Sequence, residues 1–240
     1  MGYMPRKPRI SIAGGIHHVV NRCNRRAHLL SKEDLQDCCS LLLETKRRFS
    51  LRLFAYAFLH NHYHLVAQEP VPGTMSLAMR WFNGSVAVRH NTRHQTTGHL
   101  WQGRFKNRLL ENNERDFLQC LLYVDLNPAR AGLAPALTNW AFSSTRAHAE
   151  GAEDPLLDPS PISLGKYREM LQWEWMRTQQ LLQALEARNR EATRVWLRQA
   201  TSRTFISCQK EIAVLLGRNF RRLLKKSPAD QFRLPGDPSA

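Results

Sequence analysis

Two runs of strand composition, residues 51–58 (LRLFAYAF) and 62–68 (HYHLVAQ), lie so close together in the chain that antiparallel pairing is the natural outcome. Asn61, in the gap between them, tolerates the left-handed backbone of a tight turn, so the two runs are expected to close as a hairpin. A hairpin alone is marginal in water, and further strands or a covering helix must come from elsewhere in the chain. The second strand opens with His62 and His64, and side chains two apart on a strand share a face. Two neutral imidazoles are thereby offered to one divalent ion from rigid backbone. Tyr63, between them, points to the opposite face and into packing, while His60 precedes the turn and is not counted as a ligand. Taken alone the pair fits a histidine-rich turn without metal better than a metal site, because a site is normally built from three or four ligands.

The remaining elements supply the partners. Residues 15–22 read as a first strand opened by Gly14 and Gly15, followed at once by Asn24, Arg25 and Arg26. That cluster offers phosphate-type donors, or a solvated charged turn. Ser31 with Asp34 three residues on marks a helix start, and Leu35, Cys38, Leu42 and their neighbours carry the helix over 32–48. A second helix fits 75–89 and a further strand 107–111. Asn113 caps a third helix with Asp116 at its third position, and Phe117, Cys120, Leu121 and Val124 form its buried stripe. Tyr123 lies off that stripe, with Asn127 one turn beyond it on the same flank. There Tyr123 is either a core-edge tyrosine or a hydroxyl that reaches a cleft. Pro128 disfavours helical geometry at Asn127, so the last turn is expected to be irregular. The order β-α-β-β-α-β with a further helix is the ferredoxin-like α+β pattern: one antiparallel sheet with helices packed on it.

Charge narrows the partner. With 35 Lys plus Arg against 20 Asp plus Glu, the formal net charge is +15, which favours a polyanion. No apolar run long enough to span a bilayer, signal-peptide core or lipidation motif is visible, so nucleic acid is expected rather than membrane, in the cytoplasm. Trp101, Arg104 and Lys106, set among Gly98 and Gly103, mix an aromatic with cations as a nucleic-acid groove does. The five cysteines include no C-x-x-C and are expected to be reduced and mostly buried. After Ala147 the composition turns acidic and proline-rich, and the expected division is one α+β domain over 1–148 and a linker over 149–163. A basic helical region over 164–226 and a disordered tail over 227–240 complete it.

Three ordered stretches carry a resemblance. Asn61-His62-Tyr63-His64-Leu65-Val66, Gly98-His99-Leu100-Trp101-Gln102-Gly103-Arg104-Phe105-Lys106 and Tyr123-Val124-Asp125-Leu126-Asn127-Pro128-Ala129-Arg130-Ala131-Gly132-Leu133 together resemble the single-tyrosine HUH transposases. Within these the chain is most similar to the REP-associated tyrosine transposases. Asn24-Arg25-Arg26 and Trp140-Ala141-Phe142-Ser143-Ser144 fit the same family, so the likeness covers residues from about 12 to 146. It implies a metal-dependent single-stranded DNA endonuclease and strand transferase acting at palindromic hairpins. Tyr123 would be the nucleophile, forming a 5′-phosphotyrosine link, and His62, His64 and Asn127 would hold Mg²⁺ or Mn²⁺. DNA contacts are expected from Arg22, Asn24, Arg25, Arg26, Trp101, Arg104, Lys106 and Arg130, and from Arg218, Arg221 and Arg222 in the basic region. The expected partner is a single-stranded DNA hairpin, with no nucleotide cofactor, bound by a monomer rather than a dimer. Two departures stand out: Tyr63 occupies a position that is usually small or aliphatic in the family, and His60 one that is often proline. A DNA-binding regulator of the same fold that no longer cuts is the alternative. A replication initiator or relaxase is disfavoured, since no G-x-x-x-x-G-K motif accompanies the histidines.

Overall fold

In a computed structural model the protein is described over residues 9–161 and 163–186. Residues 1–8, the part of the expected basic helical region beyond 186, with Arg218, Arg221 and Arg222, and the expected disordered tail over 227–240 lie outside the described residues. Four strands, β1 (Ile16–Arg22), β2 (Arg52–Leu59), β3 (His62–Gln68) and β4 (Lys106–Leu109), form one sheet in the order β2-β3-β1-β4. Every neighbouring pair is antiparallel, which gives the expected ferredoxin-like α+β arrangement. Helices α1 (Lys32–Phe49) and α2 (Thr74–His94) separate the strands, followed by α3 (Glu114–Asp125), α4 (Asn127–Arg130), α5 (Thr145–Glu150) and α6 (Gly165–Glu186).

Local chemistry accounts for the boundaries. The Ser31 hydroxyl accepts from Asp34 N–H while the Asp34 carboxylate accepts from Ser31 N–H, a reciprocal cap that starts α1. Asn113 accepts from Asp116 N–H at the start of α3. After Leu126 the chain does not stay irregular as expected: Pro128 falls in the first turn of the separate helix α4, where its missing N–H costs nothing. Helix α2 runs five residues beyond the expected 89, through Arg93 and His94, and β4 ends at Leu109 rather than 111.

Strand alternation divides the sheet into two faces. Tyr63, Leu65 and Ala67 of β3, Leu53, Tyr56 and Phe58 of β2 and Val19 of β1 form the core beneath Leu35, Cys38 and Leu42 of α1 and Met75, Met79 and Phe82 of α2. Tyr63 and Phe82 meet edge to face at 5.5 Å, and each such buried side chain contributes about 1.5–3 kcal/mol by transfer from water. A register shift between Leu53 and Ala55 turns Phe54 to the other face, where it packs edge-on to Phe117 of α3 at 5.5 Å. Helix α3 therefore covers the face that carries His62 and His64.

The acidic stretch after α5 is held against the sheet edge. Leu156 is buried in the core, Tyr56 Oη donates to Asp154, and Asp158 accepts from Leu53 N–H and pairs with Lys46. The compact unit that contains the sheet runs to Tyr167, and a second begins at Arg168, inside which Arg177 pairs with Glu174. Among the described residues no helix is long and apolar enough to cross a membrane.

Candidate active site

His62 and His64 project from the start of β3 on one face, with ring centroids 5.0 Å apart. Tyr123 comes to them from α3: its ring lies edge-on to His64 at 5.2 Å and to His18 at 5.5 Å. Asn127, at the start of α4, is 2% exposed and hydrogen-bonds the His62 ring. The strand pair and the helix flank read from the sequence thus converge at one place, and Tyr123 is half-buried rather than sealed in the core.

Two polar atoms in this cluster are buried without a protein partner, His64 Nε2 and Asn127 Nδ2. Such atoms cost free energy unless something else satisfies them, which is what a bound group would do. His62 Nδ1 is taken by Asn61 Oδ1 at 2.5 Å, and His64 Nδ1 by His18 Nε2 at 2.9 Å. His64 thus keeps Nε2 for the shared space, whereas the His62 ring is already engaged by Asn127. Burial, reinforced by the nearby Arg22 charge, lowers the His62 pKa to about 4. Burial, then the neighbouring His62 and His18, likewise push His64 well below its ordinary value. Both rings are neutral at neutral pH, the form that ligates a cation. Two imidazoles and a side-chain amide are a partly hard donor set that a divalent ion of the Mg²⁺ or Mn²⁺ class fits.

Positive charge surrounds the cluster. The Arg130 guanidinium lies 5.7 Å from the centre of the Tyr123 ring, and Arg22 stands opposite His62 in the β1–β3 register. Asn24, Arg25 and Arg26 are all exposed in a 3-10 turn just past β1, where Arg25 and Arg26 adopt positive φ. The loop with Arg104 and Lys106 runs beside them, since Gln102 N–H donates to Arg22 O at 2.9 Å and Asn24 N–H to Leu100 O at 2.7 Å. Two basic motifs eighty residues apart in sequence therefore form one edge. Trp101 differs from its neighbours. Its indole donates to Asn83 O and its ring meets Tyr63 edge-on at 5.5 Å, so much of it braces the core.

Two groups here were not singled out in the sequence. His18 was read only as a member of the first strand, yet it engages His64 diagonally across the β1–β3 pair. The signal was present, because His17 and His18 alternate faces and one of them had to share the His62 surface. Asp125, two residues after Tyr123, is 1% exposed and accepts from Ser144 Oγ, His148 Nδ1 and Tyr167 Oη at 2.6, 2.7 and 2.5 Å. It pins the end of α3 from behind, and Ser144 closes the tryptophan-to-serine motif whose Trp140 donates to Phe58 O.

Comparison with known proteins bears on the family and the fold. Residues 12–121 match the family described as transposase IS200 like. A REP-associated tyrosine transposase of Escherichia coli (strain K12) is 26% identical over 137 residues, 57% of this chain and 79% of that protein. A solved structure described as a REP-associated tyrosine transposase bound to a REP hairpin shares the fold, with a TM-score of 0.50 and 22% identity. The likeness covers 67% of this chain and 94% of that one.

Proposed function

We propose, on the premise that residues 12–121 belong to the IS200-like transposase family, that this protein nicks and rejoins single-stranded DNA at palindromic hairpins with Tyr123 as nucleophile. The observation that carries the reading is the convergence of Tyr123 on His64 at 5.2 Å, beside a buried His64 Nε2 that lacks a protein partner and an Asn127 side chain that engages His62. A divalent ion held by His62, His64 and Asn127 would absorb charge on the non-bridging oxygens of the scissile phosphate. The Tyr123 oxygen forms a bond to phosphorus as the bond to the 3′ oxygen breaks, giving a 5′-phosphotyrosine and a free 3′-hydroxyl. Attack by another 3′-hydroxyl reverses the step and rejoins strands without an external energy source. The Arg130 charge near the ring favours the incoming phosphate.

The exposed edge formed by Asn24, Arg25, Arg26, Arg104 and Lys106 supports DNA as the substrate, through contacts that position the backbone. A paired phosphate within a duplex is hard to bring in line, which favours an unpaired segment next to a hairpin. The protein is read as acting as a monomer in the cytoplasm, with Mn²⁺ supporting cleavage at least as well as Mg²⁺ because two of the three donors are imidazoles.

The test is incubation with hairpin oligonucleotides from the flanking genomic DNA, labelled 3′ of the cut. Wild type should carry the label through a bond that survives boiling in detergent. Tyr123→Phe removes one oxygen and little volume, so hairpin binding persists while the adduct disappears. Tyr56→Phe is the control and keeps it. An adduct on Tyr123→Phe would move the nucleophile elsewhere. Hairpin binding without an adduct in wild type would favour a regulator that binds the same DNA and does not cut it.

A further inference from the structure

We propose that Asp34, His90 and His94 form a zinc site, distinct from the Tyr123 centre, that staples the start of α1 to the end of α2. His90 and His94 are one turn apart on α2 and so share a face, with ring centroids 4.4 Å apart. Asp34 faces them from the first turn of α1, and one ligand atom from each residue lies within 4.8 Å of the other two. The site lies on the side of the sheet that carries Tyr63, away from the His64 face, and it stands or falls independently of the nuclease reading.

The crowding on one oxygen is the argument. Asp34 Oδ2 has Ser31 N at 2.9 Å, His94 Nε2 at 2.8 Å and His90 Nδ1 at 3.2 Å. A carboxylate oxygen has two lone-pair directions, so three separate donors overload it. An ion at the point where His90 Nδ1, His94 Nε2 and Oδ2 converge replaces two imidazole protons with a single bond to that oxygen. The spacing suits the exchange: tetrahedral zinc with bonds of about 2.0 Å places its ligand atoms roughly 3.3 Å apart.

The surroundings match a ligating carboxylate. Asp34 Oδ1 accepts from Arg93, which also pairs with Asp37, and Arg89 pairs with Asp37 in turn. Carboxylates that bind a metal through one oxygen are commonly held by a hydrogen bond to the other. The neighbouring Asp37 offsets the arginine charge. Two imidazoles and one carboxylate select zinc over the all-oxygen cations. Asp34 is 1% exposed, whereas the His94 side chain is 34% exposed, which leaves a fourth position open to water.

The test uses the full chain stripped of metal, and its His62→Ala/His64→Ala variant, in which the other centre is removed. That variant should bind one equivalent of zinc with a dissociation constant on the order of 1 µM or below. Cobalt in place of zinc should give the visible absorption of a tetrahedral ion, and zinc should raise the unfolding midpoint. Adding His94→Ala, at a partly exposed position, should weaken zinc by roughly 100-fold and abolish the cobalt band. The circular dichroism spectrum should remain that of the parent. No zinc uptake by the first variant, or an unchanged cobalt spectrum after His94→Ala, overturns the proposal. If the first variant does not fold, wild type and His94→Ala are compared directly: loss of one equivalent supports the site, and equal stoichiometry overturns it.

Discussion

His18 Nε2 lies 2.9 Å from His64 Nδ1, and the two rings stack with centroids 5.1 Å apart. A histidine ligates best through one nitrogen when its other ring N–H is held by a neighbour that fixes tautomer and orientation. His18 supplies that acceptor and leaves His64 Nε2 facing the space shared with Asn127. His18→Ala is therefore expected to weaken Mn²⁺ binding about 10-fold, read by calorimetry on the free protein, with the fold retained. Affinity equal to that of wild type would reduce His18 to a packing residue.

Binding and cutting should separate at His62. On the proposed reading, hairpin affinity rests on cations and base contacts spread over the surface, whereas cleavage needs the histidine pair. His62→Ala should abolish nicking and change hairpin binding by less than about 10-fold in a gel-shift titration. Chelator should do the same to wild type, and added Mn²⁺ should restore only wild type. Nicking by His62→Ala in chelator would remove the histidine pair from the reaction.

How far the sequence reached depends on whether the information was local. The hairpin was legible because the short gap and period-two alternation are both short-range, and they place Tyr63 in the core and His64 opposite it, although Asn61 turns without the left-handed backbone expected of it. Tyr123 was legible as an off-stripe residue because helical spacing alone separates it from Phe117, Cys120, Leu121 and Val124. The His18 to His64 contact was not, since it depends on which strand pairs with β3 and in which register. The extension of α2 to His94 was hidden for a similar reason. Residues 90–94 (HNTRH) read as polar and uncommitted, and they gain a reason to be helical only from Asp34 on another helix. Trp101 looked like a stacking platform by composition, yet the Asn83 carbonyl and Tyr63 that receive it lie far away in sequence.

Glu69 gives a pH dependence of stability. Burial alone would raise its pKa, but hydrogen bonds from Ser11, from Met75 N–H and from His17 outweigh that and hold it below its ordinary value. A carboxyl depressed in the folded state contributes stability that is complete above the unfolded value of 4.5 and is lost as pH falls through the folded value. Urea midpoints should therefore drop below pH 4.5 in wild type. Glu69→Gln should cost about 1.5–3 kcal/mol at pH 7 and flatten that acid limb. An acid limb as steep in Glu69→Gln as in wild type would assign the dependence to other carboxylates.

The basic region beyond the described residues can be tested without disturbing α3, provided the cut is placed correctly. Tyr167 Oη donates to Asp125 at 2.5 Å, so a truncation near 160 would loosen the segment between Tyr123 and Asn127 and confound the result. A stop after Glu186 keeps that contact and removes Arg218, Arg221 and Arg222 together with the other C-terminal cations. Each phosphate neutralised by a cation releases counterions on binding, at a slope of about 0.7 per contact for single strands. The truncated chain should therefore bind the hairpin more weakly and with a shallower dependence of log affinity on log salt. Its covalent adduct with DNA should still form at low salt, because Tyr123, His62, His64 and Asn127 are all retained. An unchanged salt slope would show that the C-terminal cations do not touch phosphate, and would leave hairpin binding to the edge formed by Asn24, Arg25, Arg26, Arg104 and Lys106.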